Sequence, residues 1–272
     1  MIKCVVSDLD GTLIHDGFLS DKNYKSIMKL KDNNINFVIA TGRNCVSEKE
    51  LKGQYISILL NGALIKDKED KILYEQYLKL DELRWVVEFA KKNNCPMMLY
   101  TNDGQIAINK DKTVKAFLPM TSENEREELG LYSIKEFNIE TDLSKKIYKC
   151  EIMDPFNRNK QRDLFKLLST HNTLDITSSV CDNIEINGLN TNKMNGLRRF
   201  MSIYDYNSNE VAVFGDGLND LCMYKKMTET FAVNNAIDDI KRLAKYQIPS
   251  CAEDGFSQGV EMILKMNKGD NE

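Results

Sequence analysis

Short apolar runs alternate with helix-like segments at both ends of the chain. The apolar runs, several of them rich in β-branched side chains, lie at residues 2–7, 35–40, 56–60, 211–214 and 231–233. Runs without polar alternation are typical of parallel strands that are buried on both faces. Helices are predicted from Ser20 and Asp220 as caps, and over 192–203, 238–246 and 259–266. The two ends of the chain therefore predict one α/β unit built on a parallel sheet.

The middle of the chain has a different pattern. Asp81 is predicted to cap a helix, and residues 97–100 and 106–108 flank an Asp103-Gly104 turn of the kind found in hairpins. A further strand at 148–153, an amphipathic helix at 158–171 and a hairpin-like alternation over 173–186 follow. This pattern predicts an α+β domain inserted at 82–186, which divides the α/β core into residues 1–81 and 187–272.

Composition narrows the classes of function. The 272 residues are 42% hydrophobic and 29% charged, with a net charge of -4, which excludes the basic footprint of a nucleic-acid-binding protein. The seven cysteines form no C-x-x-C pair, so we expect reduced thiols rather than a disulfide framework or a zinc site. Without a signal peptide or an apolar run of about 18 residues, the sequence favours a cytoplasmic protein with no membrane partner. Its expected state is a monomer or a weak homo-oligomer.

Two carboxylates stand where the first apolar run ends. Asp8 and Asp10 are separated by Leu9 and followed by Gly11-Thr12. Carboxylates this close repel each other unless a cation lies between them, and Mg²⁺ is the usual cation beside a phosphate. With that charge compensated, one Asp can act as a nucleophile while the other transfers protons. As turn and cap residues, the two would need no ligand.

Three more polar groups occur at strand ends or helix starts. Thr41-Gly42 follows the second apolar run and offers a hydroxyl and an N–H to an anion. Lys193 lies at a predicted helix start, where a cation is disfavoured unless an anion binds there too. Asp216, Asn219 and Asp220 follow the strand at 211–214. Each group alone also has a plain interpretation as a turn, a solvated lysine or a helix cap. Together they can meet at the carboxyl edge of a parallel sheet.

The order of the four groups resembles a known family. D-x-D-G-T, an apolar strand ending in Thr41, a lone lysine and then G-D-x-x-N-D resemble the haloacid-dehalogenase (HAD) superfamily of aspartyl-dependent phosphotransferases. The segment "AVNNAIDDIKRLAKY" followed by "EDGFSQGV" is similar to its Cof-type (subfamily IIB) sugar-phosphate phosphatases. The resemblance covers nearly the whole chain. It implies a Rossmann-like parallel-sheet core with an inserted α+β cap domain.

The resemblance also implies roles for single residues. Asp8 would be the nucleophile that takes the phosphoryl group, and Asp10 would protonate the leaving alcohol and then activate water. Mg²⁺ would be held by the Asp8 carboxylate, the Asp10 backbone carbonyl and Asp216. The expected phosphate ligands are Lys193, Thr41 and the N–H groups of Gly42 and Leu9. Asn219 would contact phosphate or metal-bound water, and Asp220 would orient Lys193 or the metal shell.

These implications lead to one expected function and its alternatives. The expectation is a Mg²⁺-dependent phosphatase acting on a small phosphorylated metabolite, such as a sugar phosphate, through an aspartyl phosphate. A phosphohexomutase would use the same residues but protect the phosphorylated intermediate from water. A dehalogenase on this fold would need no metal, so Asp10 and Asp216 would be superfluous. A non-enzymatic, phosphorylatable sensor module also carries an Asp, a metal and a Lys, but in roughly half this length.

Overall fold

The computed structural model describes residues 1–121, 123–179 and 183–269, and the chain divides into two compact units. The first unit comprises Met1–Tyr74 and the chain from Asn192 onward, and the second comprises Glu75–Thr191. The second unit is longer than the predicted 82–186 interval because its own backbone bonds extend further. The N–H of Leu78, for example, donates to the carbonyl of Ile147 at 2.8 Å.

The strands are numbered in chain order. They are β1 Cys4–Ser7, β2 Ile14–His15, β3 Phe18–Leu19, β4 Asn36–Ala40, β5 Ile56–Leu59, β6 Leu64–Lys66, β7 Ile72–Glu75, β8 Met97–Thr101, β9 Gly104–Ile108, β10 Lys135–Glu136, β11 Ile147–Met153, β12 Leu174–Thr177, β13 Asn183–Gly188, β14 Val211–Gly215, β15 Glu229–Val233 and β16 Tyr246–Ile248.

The α-helices are numbered in the same way. They are α1 Asp21–Asp32, α2 Leu80–Lys92, α3 Lys110–Phe117, α4 Glu123–Glu128, α5 Ile139–Asp142, α6 Arg158–Leu168, α7 Lys193–Tyr204, α8 Leu221–Tyr224, α9 Asp238–Leu243 and α10 Gly255–Lys268. Short 3-10 turns occur at Leu60–Gly62, Leu118–Met120, Ser208–Glu210 and Cys251–Glu253. Within the described ranges, none of the helices is long and apolar enough to cross a bilayer.

The first unit is built on a mainly parallel sheet. Its strand order is β16-β15-β14-β1-β4-β5-β6-β7, and the strands from β16 to β5 run parallel to their neighbours. Ser7, at the end of β1, lies between Phe214 of β14 and Ile39 of β4. The carboxyl ends of these three strands therefore meet at one edge, which is where open parallel sheets bind ligands. The predicted parallel-sheet core is confirmed.

Apolar side chains pack on both faces of this sheet. On one face, Val6, Val38 and Val213 form a buried cluster with Leu197 and Phe200 of α7. On the other face, the ring of Phe256 in α10 contacts the rings of Phe37 and Phe214. Successive residues of a strand point to opposite faces, so an uninterrupted apolar run is what such a strand requires.

Several predicted boundaries are corrected by local structure. Ser20 caps α1 as predicted, and its hydroxyl accepts a bond from the N–H of Asn23. Asp81 does not cap α2, which begins at Leu80 because Glu82 accepts a bond from the N–H of Lys79 at the cap position. The helix predicted over 238–246 ends at Leu243, since the chain then forms β16 beside β15. The antiparallel strand β6 was missed.

The second unit contains a separate, mainly antiparallel sheet. Its strand order is β10-β9-β8-β11-β13-β12, and the predicted hairpin is confirmed as the β8–β9 pair. Strands β12 and β13 pair as predicted over 173–186, although residues 180–182 of that interval lie outside the described chain. Apolar residues of α2 and α6, among them Val86 and Leu164, cover one face of this sheet. The short elements α3, α4, α5 and β10 were not predicted.

The described cysteines agree with the prediction of reduced thiols. Cys4, Cys45, Cys95, Cys150, Cys222 and Cys251 are all free. Burial raises the pKa of Cys95 to about 11 and that of Cys150 to about 12. These buried thiols therefore stay protonated and behave as apolar core side chains. Cys181 lies outside the described residues.

Candidate active site

In the first unit, three adjacent strands are each followed directly by a polar residue. Asp8 follows β1, Thr41 follows β4, and Asp216 follows β14. The N–H of Asp8 donates to the carbonyl of Phe214 at 3.0 Å, which continues the β1–β14 ladder as far as Asp8. Parallel pairing in register thus delivers residues from distant parts of the sequence to one place.

Three carboxylates lie together at this edge. Oxygen atoms of Asp8, Asp216 and Asp220 all lie within 4.8 Å of one another. Asp8 is 6% exposed and Asp220 is fully buried. Buried carboxylates at such distances repel strongly, so the cluster is costly unless cations compensate it.

Lys193 supplies part of that compensation. It is the first residue of α7, whose cap residue Asn192 accepts a bond from the N–H of Asn195. The fully buried Nζ donates to Asp8 Oδ1 at 2.5 Å and to Asp220 Oδ1 at 2.7 Å. One ammonium group facing three carboxylates leaves the cluster with an excess of negative charge.

The pKa values respond to this imbalance. Burial raises the pKa of Asp8 well above its usual range; the charge of Lys193 opposes this, while Asp220, Asp216 and Asp10 add to it. The pKa of Asp216 rises to about 7, mainly through burial and the charge of Asp220. Burial alone lowers the pKa of Lys193, but Asp220 and Asp8 outweigh burial and shift it upward. The lysine is therefore a permanent cation, whereas the cluster retains capacity for a second one.

The donor set fits a hard divalent cation. Carboxylate oxygens are the ligands that such ions prefer. Asp220 is the least available of the three, because its Oδ2 accepts bonds from the N–H groups of Asp216 and Gly217, both at 3.0 Å, and its Oδ1 binds Lys193. Asp216 is oriented by the Thr12 hydroxyl, which donates to its Oδ1 at 2.7 Å. Asp8 and Asp216 are thus the better candidates to hold a metal, with Asp220 positioning Lys193.

Gly11 is required by the close approach of Asp216. Its φ of +79° lies in the left-handed region, and a Cβ atom at this position would lie 2.5 Å from Asp216 Oδ2. A side chain would therefore be strained and would collide with the carboxylate. The glycine of the first motif thus allows Asp216 to stand beside the Asp8 loop.

Asp10 lies apart from this acidic cluster. It is not among the three carboxylates grouped above, and its side chain is 46% exposed. Arg43 holds it, with Nε donating to Oδ2 at 2.7 Å and Nη2 to Oδ1 at 2.5 Å. The two carboxylates of the first motif therefore have different surroundings, one buried against a lysine and one half-exposed on an arginine. The sequence predicted the pair but not the arginine.

The remaining predicted ligands are ordered by backbone bonds. Thr41 is buried; its N–H donates to Ile58 O at 2.9 Å, and its Oγ1 accepts from the N–H of Arg43 at 3.1 Å. Gly42 is buried beside it. The Leu9 side chain packs into the core, and its carbonyl accepts the N–H groups of the following turn. That turn fixes the backbone between the two aspartates.

A strained turn at Leu60–Gly62 supports the site and was missed. Leu60, Asn61 and Gly62 have φ values of 52°, 57° and 91°, all left-handed. The N–H of Asn61 donates to Thr41 O at 3.1 Å, and its Oδ1 accepts a bond from Asn219 Nδ2 at 3.3 Å. The Asn-Gly pair after an apolar strand was the available signal for such a turn. Asn219 therefore contacts this turn, which in turn braces Thr41.

Comparison with known proteins identifies the family. A family model described as haloacid dehalogenase-like hydrolase matches residues 5–260. The chain belongs to this family. Similar to it is the 5-amino-6-(5-phospho-D-ribitylamino)uracil phosphatase YcsE of Bacillus subtilis, which is 28% identical over 264 residues, 95% of this chain and 94% of that protein. YbjI of Escherichia coli, which carries the same enzyme name as YcsE, is 23% identical to this chain over 97% of each protein.

Solved structures of HAD phosphatases share the fold. The subclass IIB sugar phosphatase BT4131 superimposes with a TM-score of 0.80 at 19% identity, over 96% of this chain and 98% of that one. The phosphatase BT1666 of Bacteroides thetaiotaomicron gives a TM-score of 0.81 at 22% identity, over 96% and 95% of the two chains. The family resemblance drawn from the four motifs is confirmed. So is the class of enzyme, a HAD hydrolase of phosphoric monoesters.

Proposed function

We propose that this HAD hydrolase is a Mg²⁺-dependent phosphatase that acts on small phosphorylated metabolites, with sugar phosphates as the main class. The observation that carries the proposal is the buried Asp8 carboxylate, bound to Lys193 at 2.5 Å inside an acidic cluster with excess negative charge. A carboxylate nucleophile repels the anionic phosphoryl group that it must approach. Cations have to offset this repulsion, here the fixed ammonium group of Lys193 and an added metal ion.

Mg²⁺ would be held by the carboxylates of Asp8 and Asp216 and by the backbone carbonyl of Asp10. When bound, it neutralises the negative charge shared by these carboxylates and the phosphoryl oxygens. Thr12 and Asp220 position the surrounding groups through the bonds to Asp216 and Lys193 described above.

Asp8 performs the first displacement. Its Oδ1 is engaged by Lys193, so Oδ2 is the oxygen suited to attack. A bond forms from Asp8 to phosphorus while the bond from phosphorus to the leaving oxygen breaks, and that oxygen takes a proton from Asp10. The product alcohol then leaves Asp8 as an aspartyl phosphate.

Water completes the reaction in a second displacement. Asp10 takes a proton from the water while the water oxygen forms a bond to phosphorus. The bond between phosphorus and the Asp8 oxygen breaks. Inorganic phosphate and the free carboxylate of Asp8 result, with Asp10 protonated again for the next substrate. The Thr41 hydroxyl, Lys193 and the N–H groups of Gly42 and Leu9 would bind the phosphoryl oxygens through both steps.

The substrate class is supported by the names of relatives. YcsE and YbjI are named for a phosphate on a ribityl chain, and BT4131 is named a sugar phosphatase. A phosphorylated polyol or sugar is the chemistry common to these names. On this proposal the second unit, Glu75–Thr191, is the cap domain that reads the leaving group.

A phosphate-release screen tests the proposal. Purified protein is assayed against hexose, pentose, ribityl and nucleotide phosphates, with Mg²⁺ or with a chelator. We expect phosphate release from sugar or polyol phosphates that requires Mg²⁺. Conversion of the substrate into an isomeric sugar phosphate, without free phosphate, would indicate a mutase instead. A stable aspartyl phosphate without turnover on any substrate would indicate a sensor.

A further inference from the structure

Arg43 stands between two carboxylates of the first unit. Its Nε and Nη2 donate to the two oxygens of Asp10, at 2.7 and 2.5 Å. Its Nη1 donates to Glu48 Oε1 at 2.9 Å and to Ser47 Oγ at 3.0 Å. The guanidinium group is therefore fixed on two sides, with a bidentate fork on Asp10 and an anchor on Glu48.

The backbone of Arg43 is fixed as well. Its N–H donates to Thr41 Oγ1 at 3.1 Å, and its carbonyl accepts from the N–H of Leu60 at 2.9 Å. These bonds connect it to a predicted phosphate ligand and to the strained turn at Leu60–Gly62. The position from which the side chain reaches Asp10 is thus set by the same elements that shape the site.

Glu48 serves as the far anchor. Its side chain is only 8% exposed, and in the described part of the chain its Oε2 has no hydrogen-bond partner. A buried carboxylate with one unsatisfied oxygen depends on its cation. Arg43 is that cation, so Glu48 restrains the guanidinium group rather than competing for a substrate.

Asp10 needs such a restraint. Its side chain is half-exposed, and an exposed carboxylate samples several rotamers unless bonds hold it. A bidentate arginine fork fixes both the position and the plane of a carboxylate, which a lysine ammonium group does not do. The arrangement therefore selects one orientation of Asp10.

We propose that Arg43, anchored by Glu48, is a positioning residue that aims the Asp10 carboxylate at the leaving oxygen and at the hydrolytic water. The proposal rests on the proposed function, because it assigns Asp10 to proton transfer. It makes Arg43 act through Asp10 rather than on the phosphoryl group. The two modes of action differ in how they depend on the leaving group.

Leaving-group dependence separates the two modes. An alkyl phosphate needs a proton on its leaving oxygen, whereas 4-nitrophenyl phosphate departs as a stable phenolate without one. The ratio kcat/KM reports the first displacement, and kcat also includes hydrolysis of the aspartyl phosphate, which needs Asp10 for any substrate. A misaimed Asp10 therefore lowers kcat/KM for alkyl phosphates only, but lowers kcat for both.

The experiment compares Arg43→Lys with the wild type on an alkyl sugar phosphate and on 4-nitrophenyl phosphate. Lysine retains a cation for Glu48, so the fold is preserved. We expect kcat/KM to fall roughly 10- to 100-fold for the sugar phosphate and less than about 3-fold for the aryl phosphate. Arg242→Lys, the same change in an exposed pair with Asp239, is the matched control and should behave as the wild type.

A second variant tests whether Arg43 acts through Asp10. In an Asp10→Asn background, Arg43→Lys should cause less than about 3-fold further loss for either substrate. An equal fall in kcat/KM for both substrates, or a full further loss in that background, would overturn the proposal and make Arg43 a direct phosphate ligand. A wild type that releases phosphate from neither substrate would instead contradict the proposed function, and this inference with it.

Discussion

Each unit buries carboxylates around a single lysine, but only one of the two clusters is complete. In the second unit, Lys149 binds Glu185 at 2.8 Å and Glu151 at 3.2 Å. Glu151 also accepts bonds from the Tyr100 hydroxyl at 2.7 Å and from Asn183 Nδ2 at 2.8 Å. In the first unit, Lys193 faces three carboxylates, and two of them have raised pKa values.

The pKa shifts express this difference. Burial acts to raise the pKa of Glu151, but Lys149, Tyr100 and Asn183 outweigh burial and lower it. The pKa of Lys149 rises, because Glu151 and Glu185 overcome the opposing effect of burial. Burial alone therefore does not decide the state of a carboxylate; the number of matching donors does. The second-unit cluster satisfies itself, whereas the first-unit cluster is suited to take up another cation.

Loss of the proposed nucleophile should have the largest effect. Asp8→Asn keeps the size of the side chain and can still accept a bond from Lys193, but it removes the attacking oxyanion. We expect kcat to fall by at least about 1,000-fold, measured by phosphate release under saturating substrate and Mg²⁺. Asp239→Asn, the same change at an exposed position, is the control and should retain wild-type turnover. Wild-type activity in the Asp8 variant would show that the first-unit cluster takes no part in the reaction.

Breaking the complete cluster should cost stability instead. Lys149→Met leaves Glu151 and Glu185 buried without their cation, and we expect a loss of about 3 kcal/mol in the free energy of unfolding. Urea unfolding of the second unit measures it. Lys166→Met, at an exposed position on α6, is the control and should change this free energy by less than about 0.5 kcal/mol. If both variants unfold alike, the second cluster is not the self-compensating structure described above.

In the first-unit cluster, removal of a charged group should raise the stability of the protein instead of lowering it. Asp216 has a pKa of about 7 against an ordinary value of 3.8, so the stability from its protonated form is complete below about pH 4 and is lost as the pH rises through 7. In metal-free protein, Asp216→Asn removes this loss. We expect the variant to match the wild-type Tm at about pH 4 and to exceed it by several degrees at pH 8. A variant that is less stable than the wild type at pH 8 would contradict the raised pKa.

Much of the first unit could be predicted because its signals are local. The strands β1, β4 and β14 are almost entirely apolar, and each is followed by a motif residue, so parallel topology alone brings Asp8, Thr41 and Asp216 together. Lys193 was predicted at a helix start, where its charge is unfavourable without a partner, and the structure supplies Asp8 and Asp220 as partners. The residue types and their order along the chain were therefore sufficient to predict that these residues come together.

Other features depend on contacts that no local pattern specifies. Arg43 and Glu48 belong to a loop, and their meeting with Asp10 follows from the conformation of that loop rather than from spacing. Lys149, Glu151 and Glu185 alternate along strands as solvent-facing residues do, yet the structure buries them. The strand β16 was not predicted, and its first residue, Tyr246, lay within a predicted helix; pairing with β15 overrides the helical pattern there.

Binding of Mg²⁺ tests most directly the claim that the first-unit cluster is incomplete and the second is not. Isothermal titration calorimetry at pH 7.5 would compare the wild type with Asp216→Asn and Glu151→Gln. The account predicts one Mg²⁺ per wild-type chain, at least about tenfold weaker binding in Asp216→Asn, and wild-type binding in Glu151→Gln. Equal binding by the wild type and Asp216→Asn, or loss of binding only in Glu151→Gln, would contradict it.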